Sequence, residues 1–196
     1  MSSQSVPLLL ETIKIEDGTV FNLPYHQRRC NSSRQKLYQS ADIIDLSSIL
    51  IPPKKGLYRC RVVYADKVKS IEYIPYIPKK ISRLKIVPST ITYDLKYANR
   101  HSLDELLYQY PDADEIIIEK NGYITDTTFS NIAFFDGRQW FTPQYPLLNG
   151  TMRQKLMDEG VLHTKMIKKE AIKEYRNVAL INAMIGFKIL NHFTIE

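Results

Sequence analysis

Apolar and polar positions in this chain follow two spacings. In "KYANRHSLDELLYQY" the apolar residues recur at helical intervals, so Leu103, Leu106 and Leu107 share one face of a predicted helix. Elsewhere short apolar runs, rich in β-branched residues and tyrosine and bounded by turn residues, predict strands. "LLLETIKIEDGTVFNLPYHQRR" reads as two strands joined at Asp17-Gly18, and Pro24 suits the first turn of a helix over 25–38. "GLYRCRVVYADKVKSIEYIPYI" reads as a second hairpin. The proline-bearing "IPYIPKKISRLKIVPSTITYD" follows, and its middle is read as the link between two lobes, 1–80 and 81–196. Strand "ITYDL" then passes into the helix named first. A four-stranded meander is expected at 115–119, 123–125, 131–135 and 139–142. After it come a helix beginning past Gly150, a strand in "VLHTKMI", a short helix in "KKEAIKEY" and a strand in "NVALINAMIGFKIL". The fold class is α+β in two lobes.

Turn chemistry raises one question. Asn121-Gly122 and Asp136-Gly137 close tight hairpins. Between them lies "DTTFS", from Asp126 to Ser130, which has no glycine, three hydroxyl groups and one carboxylate. Two readings fit. The acid is a solvated turn residue and the hydroxyls satisfy nearby backbone groups, or the acid faces a cleft and holds a cationic nitrogen.

Bulk composition narrows the classes. The chain has 196 residues, 44% of them hydrophobic, enough for one good core or two small lobes. No apolar run approaches the ~20 residues of a membrane span, and the start lacks the basic region of a secretory signal. Cys30 and Cys60 supply neither a disulfide framework nor a metal-ligand spacing. A reduced, cytoplasmic protein without a metal is expected. The net charge is +6 and the pI about 9.2. No helix-turn-helix, zinc-finger or RNP signature accompanies that charge, so nucleic acid is not the expected partner. An anionic small substrate or a phosphate-bearing cofactor accounts for it as well as simple solubility does.

Several other residues carry two readings. Thr151 and Met152 open a helix after Gly150, and their N–H groups are a possible phosphate site, as at any helix start. Asn182-Ala183-Met184 ends a buried strand with small residues, either as a plain turn or as a loop that approaches the same phosphate. Lys96, placed at the junction of "ITYDL" and its helix, is either a solvated first-turn lysine or a cleft amine that loses its proton and attacks a carbonyl. Arg29 is a surface arginine or a phosphate fork; Arg28 is the surface residue if Arg29 points inward.

Together these segments resemble the class IV aminotransferase family, the fold-type IV enzymes that use pyridoxal 5′-phosphate. The resemblance rests on "I-T-D" after an N-G turn, "S-N-I-A-F-F-D-G", "F-T-P", "N-G-T-M-R-Q" and "N-A-M", with "L-E-T-I-K-I-E-D-G", "H-Q-R-R" and "L-K-Y-A-N-R" earlier. It spans Leu10 to Met184 and implies a two-lobed, D-amino acid aminotransferase-like fold. It also implies that Lys96 binds the cofactor covalently and that Asp126 pairs with the ring nitrogen. Relatives usually carry glutamate at that position. Thr127 and Thr128 would wrap the ring, and Asn131 would brace the turn. Arg29, the N–H groups of Thr151 and Met152, and Asn182-Ala183 would hold the phosphate. The small lobe is shortened, because the usual first strand and glycine-rich turn are missing and "YRCRVVYAD" turns quickly at Tyr64-Ala65-Asp66.

Within the family, Asn99-Arg100, "N-G-T-M-R-Q" and "N-A-M" look more like aminodeoxychorismate lyase than branched-chain aminotransferase. The expected reaction converts 4-amino-4-deoxychorismate, a dianion that suits a basic protein, to 4-aminobenzoate and pyruvate. An amino-acid aminotransferase and a non-catalytic cofactor-binding module are the alternatives. The family resemblance also implies a homodimer, with "IEYIPYIP" as a candidate contact.

Overall fold

A computed structural model describes residues 6–196. The opening residues 1–5, on which the absence of a secretory signal was partly read, lie outside the described residues. The chain divides into two compact units. One comprises the residues up to Ile77 together with Leu95–Arg100, and the other Pro78–Asp94 together with His101–Glu196.

In the first unit, β1 (Leu9–Glu16), β2 (Thr19–Val20), α1 (Leu23–Tyr38), α2 (Leu46–Ile49), β3 (Leu57–Tyr64) and β4 (Val68–Pro75) follow one another. The strands form one antiparallel sheet in the order β2-β1-β3-β4. Asp17 and Gly18 turn β1 into β2 with φ of 47° and 81°. Two successive left-handed residues match the twist of a two-residue hairpin, and the second falls to glycine at no steric cost. Alternation then decides burial. Leu9, Ile13 and Ile15 of β1 and Cys60, Val62 and Tyr64 of β3 are buried together with Cys30 of α1 and Leu46 of α2. Glu11 falls in the same phase and is fully buried. Pro24 sits in the first turn of α1, as its fixed φ and missing N–H allow. Arg34, near the far end of α1, is also fully buried; it donates to the main-chain oxygens of Asp42 and Asp66 and so ties the β3–β4 turn to the helix.

Residues 95–100 fall in the unit that contains β1, whereas the expected division at 80/81 grouped them with the later residues. The Leu10 N–H donates to the Lys96 carbonyl at 2.8 Å, the Ala98 N–H donates to the Leu8 carbonyl at 2.8 Å, and Leu9 bridges Tyr97. Those sideways bonds correct a second expectation. Lys96 is not at a strand-to-helix junction, because its backbone is committed to β1 and the helix begins only at His101.

The second unit contains β5 (Arg83–Pro88), α3 (His101–Tyr108), β6 (Glu115–Lys120), β7 (Tyr123–Thr127), β8 (Asn131–Phe135), β9 (Trp140–Pro143), α4 (Thr151–Asp158), β10 (Leu162–Lys165), a 3-10 helix over Lys169–Glu174, β11 (Asn177–Asn182), β12 (Gly186–Ile189) and β13 (Thr194–Ile195). They build two sheets, β13-β5-β6-β7 and β10-β9-β8-β11-β12. Leu84, Ile117 and Ile124 from the first sheet and Ile132, Phe134, Val178 and Leu180 from the second form one core. On α3, Leu103 and Leu106 are buried and Leu107 is half-buried.

The expected meander is therefore broken in the middle. The pair β6–β7 belongs to one sheet and β8–β9 to the other, and the chain crosses between them at Phe129. The final strand is likewise two antiparallel strands. Asn182 Oδ1 accepts from the Met184 and Ile185 N–H groups at 2.9 and 3.0 Å and reverses the chain. Two strands went unforeseen. β5 lies in the proline-rich stretch, with Pro88 at its very end where a missing N–H is tolerated, and β13 pairs parallel with it through only two residues. Among the described residues no helix is long and apolar enough to cross a membrane.

Candidate active site

The first unit gathers a charged cluster around Glu11. Helical spacing puts His26 and Arg29, three residues apart, on the same side of α1. His26 Nδ1 lies 2.6 Å from Glu11 Oε2. Arg29 grips the same carboxylate with two bonds, Nε to Oε1 at 2.8 Å and Nη2 to Oε2 at 2.6 Å. Burial alone would raise the Glu11 pKa, but Arg29 and His26 outweigh it and hold the carboxyl at about 2. Burial keeps His26 below its ordinary pKa, against the pull of Glu11. Arg28 is exposed and stacks on Tyr25, 4.2 Å from the ring centre, so of the two neighbouring arginines Arg29 is the one that points inward.

Lys96 belongs to this cluster. Its main chain is fixed against Leu10, next to Glu11. Desolvation, then the positive charge of Arg29, lower its pKa to about 7, with Arg100 adding to the effect and Glu11 opposing it. An amine in that state is partly unprotonated near neutrality, which an exposed lysine is not. It can attack an electrophilic carbonyl and can later accept a proton.

In the second unit, the passage from one sheet to the other explains the hydroxyls. The Thr127 N–H donates to the Ser130 carbonyl at 2.8 Å, and the Ser130 N–H donates to Thr127 Oγ1 at 3.0 Å. Thr127 Oγ1 and Ser130 Oγ are 2.9 Å apart. Thr128 donates from its N–H and its hydroxyl to Glu115 Oε1, at 2.8 and 2.6 Å. Glu115 is itself buried, and burial raises its pKa. The corner thus makes its hydrogen bonds within itself and to Glu115 of β6, because it leaves one ladder before it joins the next.

Asp126 stands at the entrance to that corner and is 4% exposed. Asn131 Nδ2 donates to its Oδ1 at 2.7 Å, and the Leu148 N–H donates to its Oδ2 at 2.9 Å. Both donors are neutral. Burial therefore prevails over them and over the more distant charge of Arg153, and the carboxyl is raised to about 6. Gly150 packs against the same network. A Cβ built on it would come within 2.0 Å of Asn131 Oδ1. Thr151 is buried directly after it and Met152 is half-buried. The Asn182 amide donates to the Phe129 carbonyl at 3.4 Å, so the Asn182-Ala183 turn is tied to the corner. Asp126, Thr127, Thr128, Gly150 and Asn182 are thereby joined through Asn131 and the corner's main chain.

Three residues were not singled out from the sequence. Glu11 shows as an acid in the buried phase of a strand, and His26 shows through its helical spacing from Arg29. Arg153 lies inside "N-G-T-M-R-Q", but nothing in that segment marks it as a buried charge. It is buried and donates to the Pro143 carbonyl at 2.9 Å and to Asn149 Oδ1 at 3.2 Å, which pins the loop that delivers the Leu148 N–H.

Gly150→Ala is expected to lower the melting temperature by several degrees, because Asn131 must move or the α4 start must shift. A loss of ~1–3 kcal/mol is the ordinary range for overpacking. Thermal denaturation checks it, and an unchanged melting temperature would show that Asn131 has room to rotate.

Each unit, taken by itself, offers a donor set of a kind that pyridoxal phosphate uses. The cofactor needs a lysine amine that can lose its proton near neutrality, and burial and Arg29 lower the Lys96 pKa to about 7. It needs a buried acid for a cationic ring nitrogen, and Asp126 is a buried acid held by neutral donors. Known proteins of similar sequence and structure identify the family. The amino-transferase class IV family model matches residues 91–189. An uncharacterized protein of Haemophilus influenzae is 37% identical over 185 residues, covering 91% of this chain and 98% of its own. A protein of Schizosaccharomyces pombe, provisionally named aminodeoxychorismate lyase, is 28% identical over 89% of this chain and 85% of its own. The crystal structure of a protein from Haemophilus somnus 129pt, provisionally named 4-amino-4-deoxychorismate lyase, matches with a TM-score of 0.85 and 36% identity over 92% of this chain and 97% of that one. The chain belongs to the class IV aminotransferase family and is a pyridoxal-phosphate-dependent enzyme of fold type IV.

Proposed function

We propose that the enzyme is a lyase that converts 4-amino-4-deoxychorismate to 4-aminobenzoate and pyruvate. The observation that carries this reading is the likeness to the Haemophilus somnus protein so named, which runs through nearly the whole of both chains. The Schizosaccharomyces pombe relative carries the same provisional name. The net charge of +6 suits a dianionic substrate.

Pyridoxal phosphate, when bound, supplies an electron sink for the pair left by a departing Cα proton. Lys96 would hold the cofactor, and its neutral amine would take that proton. Asp126 would hold the positive charge at the ring nitrogen. Arg29, the N–H groups of Thr151 and Met152, and the turn at Asn182-Ala183 would hold the phosphate. Thr127 and Thr128 act by shaping the corner beside the ring.

The test supplies purified holoenzyme with aminodeoxychorismate and couples pyruvate release to a dehydrogenase. Equal amounts of pyruvate and 4-aminobenzoate are expected, with slow or no conversion of branched-chain or D-amino acids to keto acids. Rapid keto-acid formation from an ordinary amino acid, with no 4-aminobenzoate, would assign the chain to the aminotransferases instead.

A further inference from the structure

We propose that Glu11 is a positioning residue for cofactor phosphate, acting through Arg29. The inference rests on the proposed phosphate role of Arg29 and goes beyond it. An arginine on a helix surface samples many rotamers, and only a fixed guanidinium gives a phosphate a preformed site. Glu11 supplies the fixing. Its carboxylate is fully buried on β1, and it takes the Nε and Nη2 edge of Arg29 at 2.8 and 2.6 Å. That bidentate grip sets the plane of the guanidinium and the edge it presents. His26 occupies the same carboxylate at 2.6 Å and stops it from rotating away.

The energetics support a role beyond packing. A buried carboxylate is costly to keep and is commonly no better for stability than apolar residues of the same volume. Ile13 and Ile15 occupy the same buried phase of β1. An acid among them is accounted for by what it does to Arg29. The β1 backbone beside Glu11 also carries the main-chain bond from Leu10 to Lys96, so one strand positions both the arginine and the amine.

The experiment measures affinity of the cofactor-free protein for pyridoxal 5′-phosphate and for unphosphorylated pyridoxal, in the parent, Glu11→Gln, Arg29→Ala and the double variant. A charge-assisted contact is worth ~1.5–3 kcal/mol, so Glu11→Gln is expected to lower the preference for the phosphorylated form about ten- to a hundredfold. Affinity for pyridoxal should stay nearly unchanged. Adding Glu11→Gln to Arg29→Ala should change the preference no further, because the acid acts only through the arginine. A merely structural Glu11 would weaken both ligands alike, and that result overturns the inference. If Glu11→Gln does not fold, Glu11→Asp decides: it keeps the charge but draws the carboxylate back by one methylene from Arg29, so the preference for the phosphorylated form should fall, and a preference equal to the parent's overturns the inference. A parent protein with no preference for the phosphorylated form would defeat the cofactor assignment of Arg29, and the inference with it. A parent that prefers it, beside a Glu11→Gln variant with the same preference, would defeat the inference alone.

Discussion

Lys96→Ala is expected to abolish turnover while the chain still folds and still takes up some cofactor without a covalent bond. The proposed function gives the amine two tasks, to bond the cofactor and to move the Cα proton, and neither Arg29 nor His26 of the cluster around Glu11 is suited to both. Arg29 stays charged, and His26 is held in a pair with Glu11. Loss of a general base alone costs ~10²–10⁴-fold, and loss of covalent attachment adds to that. Borohydride reduction of the parent followed by peptide mapping should place the pyridoxyl label on Lys96; a label on another lysine refutes the assignment. The cofactor-free protein gives an independent reading. Its Lys96 should react with an amine-directed reagent at a rate that rises through about pH 7. Arg29→Ala removes a neighbouring positive charge that disfavours the ammonium, so it should move that midpoint up. A midpoint near that of an ordinary lysine in the parent would mean that the amine is solvated.

Much of this was legible in the sequence, and the failures have physical causes. The hairpin at Asp17-Gly18 and the turn at Asn121-Gly122 were readable because left-handed residues have few substitutes. The start of α1 was marked by Pro24. The meander failed because hairpin patterning records which residues pair locally, and residues 127–130 join two sheets with no glycine to mark the change. Lys96 was singled out, but its setting was misread. The bonds from Leu8 and Leu10 that keep it out of a helix come from residues more than eighty positions away. β5 and β13 form a parallel pair closed by distant segments, and neither carries enough alternation to stand out alone. Glu11 and Arg153 lie inside the segments "L-E-T-I-K-I-E-D-G" and "N-G-T-M-R-Q", yet neither stood out there. Glu11 and Arg153 were missed because a buried charge is recognised by the partner it meets, and Arg153 meets a carbonyl and an amide.

Asp126→Asn should lose far more activity than Asp126→Glu, and the reason lies in the charge at the end of β7. Burial raises the carboxyl to about 6 from an ordinary 3.8. In the cofactor-free chain, therefore, between pH 3.8 and about 6 the folded state binds more protons than the unfolded state, and this acid's contribution to stability falls as pH rises through that window. At neutral pH the buried charge is only partly offset by Asn131, the Leu148 N–H and Arg153, and a cationic ring nitrogen would offset the rest. Glutamate keeps that charge and adds one methylene, which a packed site tolerates at ~1–3 kcal/mol or less. Asparagine keeps the shape and removes the charge. Breaking one side of a buried pair costs ~3–5 kcal/mol, so the asparagine variant should be ~10²–10³-fold less active or worse. Cofactor binding carries the same sign. Below about pH 6 the parent must release a proton from Asp126 before it can pair with the ring, so its affinity should fall with falling pH. Asp126→Asn has no proton to release there, and the difference between the two pH profiles isolates the contribution of this acid. Parent and asparagine variant with equal activity and parallel profiles would show that Asp126 serves only the turn, holding Asn131 and the Leu148 N–H in place.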